Sequence, residues 1–420
     1  METTQRSLEL KDLLRACAPG GGTSLRVLTE LAPAGGVGAL VAPARVLDRD
    51  EPTYAFERRL VELSESTAPV PAWTVIIDSK QSVLNRDEDA VLSARRDGET
   101  PEGRALLRVP TIEVSAGSEV FSDLSLPHRV FDGHIRSATL EGKPVTQTAV
   151  YRQARNATRH NARALLELAP TSLILGAWDS TRKFNQGRYQ SCIVGEIVGV
   201  LADQDPDIRP VVTKKAASRI DPVAASVRPT QSAVERLVEA QSEELSEKLK
   251  EKILNEAKKK GSAGSSMSTL GLGHIPPSLD GPSSLKGLGG VSCRAITRRR
   301  VLSFSALRQL RFGGPAEADI ACRALLAAYG LLGMALSDRE LYLRANCDLV
   351  ELSAPQVVID QRFGQEEQLA PITPENALSV FEEALRHAED VAKVQWQGQV
   401  LHLEGDPDII GSLSADDPEK

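Results

Sequence analysis

Apolar positions along the chain switch repeatedly between a helical and an alternating period. Residues 7–17 show helical spacing, and Pro19-Gly-Gly-Gly-Thr23 ends that helix. Leu25 to Leu31 predicts a strand, and glycines 35, 36 and 38 follow in a loop. Trp73-Thr-Val-Ile-Ile-Asp78 predicts a buried strand, because its apolar and β-branched residues are continuous. Asn85 to Arg95 predicts a helix with acids in its first turn. Val150 to Ala169, rich in Ala, Leu and Arg, predicts a single helix stopped by Pro170. Ser172 to Trp178 and Cys192 to Leu201 predict strands on either side of a polar, basic loop at 179–191. Further strands are predicted over Val291 to Phe304, over Arg344 to Leu352 and around Val400. Helices are predicted over 315–335 and 373–393. Residues 98–150 are turn-rich with short strand-like runs and read as an excursion. Strands alternating with helices, interrupted by long excursions, predict an α+β core with insertions.

Residues 231–260 follow a different pattern. Ser232 and Glu235 form a capping-box signature, and Val234, Val238, Leu245, Leu249 and Ile253 recur near helical spacing. Seven acids balance seven bases, so one long charged amphipathic helix is predicted. Residues 261–290 hold eight glycines, seven serines and three prolines, a composition that buries little surface. Helix and loop together read as an insertion.

At 41% hydrophobic and 25% charged, the 420 residues can form a packed core, which makes whole-chain disorder a poor reading. The N-terminal residues lack the apolar stretch of a secretion signal. The run Ala324 to Leu336 is too short to span a bilayer, so the expectation is a cytoplasmic protein that contacts no membrane. Five cysteines (Cys17, Cys192, Cys293, Cys322 and Cys347) with long gaps and no C-x-x-C read as buried thiols.

The net charge of −7 argues at first against a nucleic-acid partner, but its distribution changes that. Residues 361–420 carry −9, including an acidic last stretch expected to fray, so the first 360 residues carry +2. Arg294 to Arg311 holds six arginines and no acid. Tyr151 to Arg163 holds four arginines and His160, again with no acid. Either cluster can be a solvated face or a phosphate-binding surface.

Catalytic signatures are missing. No G-x-x-x-x-G-K-[ST], G-x-G-x-x-G after a strand, G-x-S-x-G or H-E-x-x-H occurs. His128, Asp132 and His134 are the one trio spaced to share a metal, without a helical pattern to fix its geometry. The expectation is a protein without catalysis, metal or cofactor.

Several strings, in order, resemble one family: Ile76-Ile-Asp78-Ser-Lys-Gln-Ser82 with Asn85-Arg86; Pro127-His128-Arg129-Val130; Asn156 to Leu166; Gly176-Ala-Trp178-Asp-Ser-Thr181; Gly195-Glu196-Ile-Val-Gly199; and Ser218-Arg219-Ile-Asp221-Pro222. The Gly-rich tract leading into Arg294-Ala-Ile-Thr-Arg298-Arg299-Arg300 also fits. Together they resemble the backbone RAMP subunit, of the "Cas seven" group, in the type I-G (formerly I-U) CRISPR Cascade complex. The Arg-Phe-Gln-Pro-Thr-Gly-like element of that family is not evident here. Gly35-Gly36 and Asp50 to Tyr54 occupy its region.

The resemblance implies a ferredoxin-like (RRM-type) core over 1–98, 151–230 and 291–360. It implies a thumb at 99–150, the helical and Gly/Ser-rich excursion at 231–290, and an acidic C-terminal region at 361–420. It implies a subunit that binds CRISPR RNA and stacks head to tail with copies of itself as a helical filament. Such a subunit joins other Cascade subunits and presents the guide to target DNA in antiviral defence. The aromatic RRM signature is absent and only 4% of residues are aromatic, so backbone contacts are expected rather than base stacking.

On these grounds the candidate RNA contacts form five groups. Ser79, Gln81, Ser82, Asn85 and Arg86 lie where a strand enters a helix, a position equally suited to a plain helix cap. His128 and Arg129 are in the implied thumb, where a structural turn is the alternative. Arg182, Lys183, Asn185, Gln186 and Arg188 form the basic loop between two strands. Lys214, Lys215, Ser218 and Arg219 form the fourth group, in which Asp221 is an alternative partner for Arg219. Arg294, Arg298, Arg299 and Arg300 follow the Gly-rich tract and are the favoured group. Two rival readings remain: an RNA endonuclease using Asp78, Asp179 or His128, and a scaffold that binds protein only through 231–260.

Overall fold

Ser24–Pro33 (β1) is a ten-residue strand in which Leu25, Val27, Thr29 and Leu31 are buried while Arg26 and Glu30 are exposed, the period-two pattern of a sheet with one covered face. The computed structural model describes residues 5–48, 51–62, 68–117, 119–182, 187–202, 204–205, 229–259 and 289–410. β1 belongs to an antiparallel sheet of eight strands. The others are β2 (Phe56–Val61), β3 (Val70–Asp78), β4 (Ile193–Leu201), β5 (Cys293–Ser303), β6 (Leu349–Glu351), β7 (Gln356–Asp360) and β8 (Glu366–Leu369). Their spatial order is β8-β7-β1-β5-β4-β3-β2, with β6 also paired to β1. β5 therefore sits between strands that are remote from it in sequence.

Four helices build the apolar layer: α1 (Leu10–Cys17), α2 (Lys80–Asp97), α3 (Ala316–Glu340) and α4 (Pro374–Ala392). α3 packs against the other three. Its length and composition would suit a bilayer, but 94% of its most apolar window is buried within the fold. Gly330 makes this packing possible, because a Cβ there would lie 2.5 Å from Ile193 Cδ1 and 2.8 Å from Ile174 Cγ1.

The excursion at 98–150 shares this core. Thr111–Ala116, Glu119–Ser122, Thr139–Leu140 and Lys143–Pro144 form a second sheet of five strands, completed by Val400–Glu404, which runs parallel to Thr111–Ala116. Leu106, Ile112, Val114, Val130 and Ile135 belong to the same buried cluster as the α3 side chains.

The chain divides into two compact units, one of 1–44, 54–210 and 291–411, the other of 45–53, 211–290 and 412–420. In the second unit, residues 231–259 are not one helix. Gln231–Ala240 and Glu247–Lys259 pair as a hairpin, burying Val234 and Val238 against Ile253 and Ala257. Folding back covers an apolar stripe that one straight helix would leave bare. The N-cap is Thr230 and not Ser232. The Gly/Ser-rich tract up to 288 and the acidic last ten residues lie outside the described residues.

Three other expectations are corrected. The 150–169 helix is two, Ala149–Arg155 and Arg163–Leu166, parted by a turn. Ser172 to Trp178 is not a strand. Thr171–Ile174 is a helical turn and only Ala177–Trp178 is extended, because Gly176 at φ +86° turns the chain between them. α2 begins at Lys80 and has no acid in its first turn. Cys17, Cys192, Cys322 and Cys347 are buried free thiols, and Cys293 is half-buried.

Candidate nucleic-acid interface

The favoured arginines take opposite sides of β5. Arg298 and Arg300 are only 2% and 3% exposed. Arg300 joins Asp87 of α2 at 3.0 Å and Asp338 of α3 at 2.6 Å, and Arg298 joins Glu351 at 2.6 Å. Gly195 on the neighbouring strand makes room, since a Cβ there would lie 2.8 Å from Arg300 Cδ. Arg300 ties the sheet to α2 and α3, and Arg298 ties β5 to β6 and, at 3.4 Å, to Asp338 of α3, so both candidate guanidiniums are engaged inside the fold. Arg294 and Arg299 are exposed.

The other motif strings are also built largely into the frame. Asp78 is 0% exposed and accepts hydrogen bonds from Ser82 Oγ at 2.8 Å, Arg86 Nε at 2.8 Å and Arg344 Nη2 at 2.8 Å. Ser79 caps α2 by accepting from Ser82 N, so Ser79, Ser82 and Arg86 have internal work, while Gln81 and Asn85 are exposed on α2. Arg129 clasps Glu88 at 2.5 and 2.9 Å and donates to the Gly176 carbonyl at 2.8 Å. His128 is exposed. Asp132 caps Gly133–Ser137 and meets His134 Nδ1 at 2.7 Å. Among the described residues no group of three side chains is placed to hold a metal. Lys183, Asn185, Gln186, Lys214, Lys215, Ser218 and Arg219 lie outside the described residues.

The second acid-free cluster forms a surface. After Ala149–Arg155, Thr158 and Asn161 exchange two backbone hydrogen bonds of 3.2 and 2.9 Å, closing a tight turn with Arg159 and His160 at its tip. Both side chains are exposed. Arg311 fixes the turn: its N–H donates to the Arg159 carbonyl at 2.8 Å, and its carbonyl accepts from Ala162 N at 2.7 Å. Facing the turn, Ala177–Trp178 pairs with Arg188–Tyr189, which sets Arg188 opposite Trp178. The Arg188 guanidinium lies 5.4 Å from the Trp178 ring centroid, and Trp178 is 50% exposed. Arg182 donates to the Arg155 carbonyl at 3.0 Å and to Asn156 Oδ1 at 2.9 Å.

Asn156, Thr158, Arg159, His160, Arg182 and Arg188 line a cleft of about 650 Å³. A neighbouring cleft of about 700 Å³ shares Asn156 and Thr158 and reaches Asn161 and the Arg163–Glu167 ion pair. Among the described residues, Arg159 and Arg188 have no acid within ion-pair distance. The acid of the Trp-Asp-Ser-Thr string does not enter the cleft as a base. Burial pushes the Asp179 carboxyl up, but hydrogen bonds from Arg155 and Thr181 outweigh it and hold the group below its ordinary value. Asp179 is 1% exposed and pairs with Arg155 at 2.7 Å.

A cationic cleft with amides and a half-exposed indole suits a single-stranded nucleic acid: guanidiniums for phosphates, amides for sugars and bases, an aromatic face for stacking. Of the candidate residues, Arg182 and Arg188 line it. Asn156, Arg159, His160 and Trp178 lie outside the five candidate groups, although the absence of acids from 151 to 163 points to the first three.

Residues 25–204 match the family model described as CRISPR-associated protein GSU0053, which supports a CRISPR-related role. That span includes the whole cleft. No curated protein matches the chain.

Proposed function

We propose that this protein is the RNA-binding backbone subunit of a type I-G CRISPR Cascade complex, coating CRISPR RNA by head-to-tail repetition without cutting it. The observation that carries the reading is the cleft around Arg159 and Arg188, whose described lining is cationic and holds no acid, lying in the stretch that matches the CRISPR-associated family. The order β7-β1-β5-β4, with α2 between β1 and β4 in the chain and α3 between β5 and β7, supports a ferredoxin-like core. The closure of Asp78 and Asp179 in ion pairs favours binding over hydrolysis, because neither carboxylate is free to activate water.

Partners in this reading are CRISPR RNA, further copies of the chain, other Cascade subunits and, through the guide, target DNA, all in the cytoplasm. A contact between unlike surfaces repeats without closing, so each added length of RNA admits another copy. Native mass spectrometry on guides of increasing length is expected to show stoichiometry rising in steps. A fixed stoichiometry across all lengths contradicts the backbone role.

A further inference from the structure

An exposed turn in the first unit joins β7 to β8, and a phenylalanine stands at its tip. Phe363 is 102% exposed and adopts φ 60°, ψ 33°, a left-handed conformation that a bulky side chain rarely takes; Gly364 follows at φ 72°. Conformational cost and complete exposure of an aromatic ring together mark a residue kept for an external contact.

The turn is braced from below. Gln361 N donates to the Gln365 carbonyl at 2.8 Å, and Arg362 Nε donates to the Gly21 carbonyl at 3.1 Å. Arg308 donates to the next carbonyl, Gly22, at 2.8 Å. The acids on the hairpin already have cations: Asp360 and Glu366 pair with Arg26, and Glu367 pairs with Arg6 and Arg15. Among the described residues, Arg362 and Arg308 have no acidic partner. Burial and the nearby Arg362 charge push the Arg308 guanidinium below its ordinary value, so an anion placed here would relieve both cations.

The segment after β5 links this turn to the cleft. Arg308 reaches Gly22 beside the turn, and three residues later Arg311 holds the Arg159 tip through its main chain. An exposed ring adjoining Arg362, whose charge lies near that of Arg308, has the composition of a stacking step along a single strand. A protein partner would have called for apolar neighbours around the ring, and Phe363 is flanked by Arg362 and Gly364.

We propose that Phe363 stacks on a base of single-stranded RNA while Arg362 and Arg308 meet the adjoining phosphates. This rests on the RNA-binding reading above and adds to it a base contact outside the cleft. The test uses the full-length chain and a short fluorescein-labelled oligoadenylate. Phe363→Ala is expected to weaken binding about tenfold with the salt slope unchanged, because stacking releases no counterion. Phe363→Trp is expected to bind like the parent and to lose more indole fluorescence on saturation than the parent, whose Trp178 lies at the cleft. Phe363→Gly, which relaxes the left-handed backbone, is expected to melt higher and still bind weakly. Parent-level affinity in Phe363→Ala together with quenching in Phe363→Trp no greater than in the parent overturns the stacking contact and leaves the cleft reading intact. Loss of self-association without RNA in Phe363→Ala, with RNA affinity retained, also overturns it and assigns the ring to a neighbouring copy. No binding by the parent chain at all sinks the RNA reading itself.

Discussion

Two stretches of this chain look alike in sequence and behave oppositely in the fold. Arg294 to Arg311 and Tyr151 to Arg163 are both rich in arginine and free of acid. In the first, β5 passes through the middle of the sheet, and its alternation buries Arg298 and Arg300, where Asp87 and Asp338 of the helices and Glu351 of β6 meet them. In the second, a tight turn projects from the layer and leaves Arg159 and His160 in solvent. A local absence of acids therefore says little about whether a cation is free. The partners of Arg300 lie 213 and 38 residues away in the chain. What separates the two stretches is the backbone: a central strand buries every second side chain, whereas a turn tip buries neither of its two.

The largest effect expected from this contrast is on stability. Arg300→Ala leaves the buried Asp87 without its cation and takes from Asp338 the closer of its two arginines, and should cost about 3–5 kcal/mol in chemical denaturation. A loss below about 1 kcal/mol would show that the pair is not the tie described.

Asp123 offers the reverse case, a buried acid with no cation in ion-pair reach among the described residues. Its Oδ1 accepts from Ile112 N at 3.1 Å and Ser122 Oγ at 3.3 Å, and its Oδ2 has no partner. Burial pushes this carboxyl up to about 6. Because the folded value exceeds the ordinary one, the native state takes the proton first. The stabilising contribution is full below about pH 4 and is lost as pH rises through about 6. Asp123→Asn should flatten the pH dependence of stability across that window, an effect of about 3 kcal/mol at most. A parallel profile in the variant would mean that Asp123 titrates normally.

The smallest expected effect is at the neighbour of Arg300. Arg299→Ala, on the exposed face of the same strand, should change stability by no more than about 0.5 kcal/mol. A cost approaching that of Arg300→Ala would break the proposed division of the strand into two faces.

The fold is legible in the sequence where the apolar period is long and unbroken. The β3 and β4 strands, α3, and the α4 helix from Pro374 to Ala392 all follow from apolar pattern and capping residues. It is not legible where short-range geometry decides. A single left-handed glycine, Gly176, divides the 171–178 run, and a backbone exchange with Arg311 breaks the 149–166 helix. Val400–Glu404 completing the sheet of residues 111–144 is a pairing over hundreds of residues that no local pattern carries.

The candidate site residues divide by the same logic. Arg188 lies in the cleft because the loop it belongs to returns against Trp178. Ser79, Ser82, Arg86 and Arg129 are braces, because each has a remote or capping partner that the linear chain does not show.

The central claim is that the cleft binds RNA through Arg159 and Arg188. The direct measurement is the affinity of a single-stranded RNA as a function of salt concentration, for the parent chain and for the double variant Arg159→Glu/Arg188→Glu. The account predicts an unchanged melting transition, affinity lowered alike for all sequences, and a log–log slope shallower by about 0.7 for each phosphate that the variant no longer neutralises. An unchanged affinity and slope in a folded double variant would contradict it.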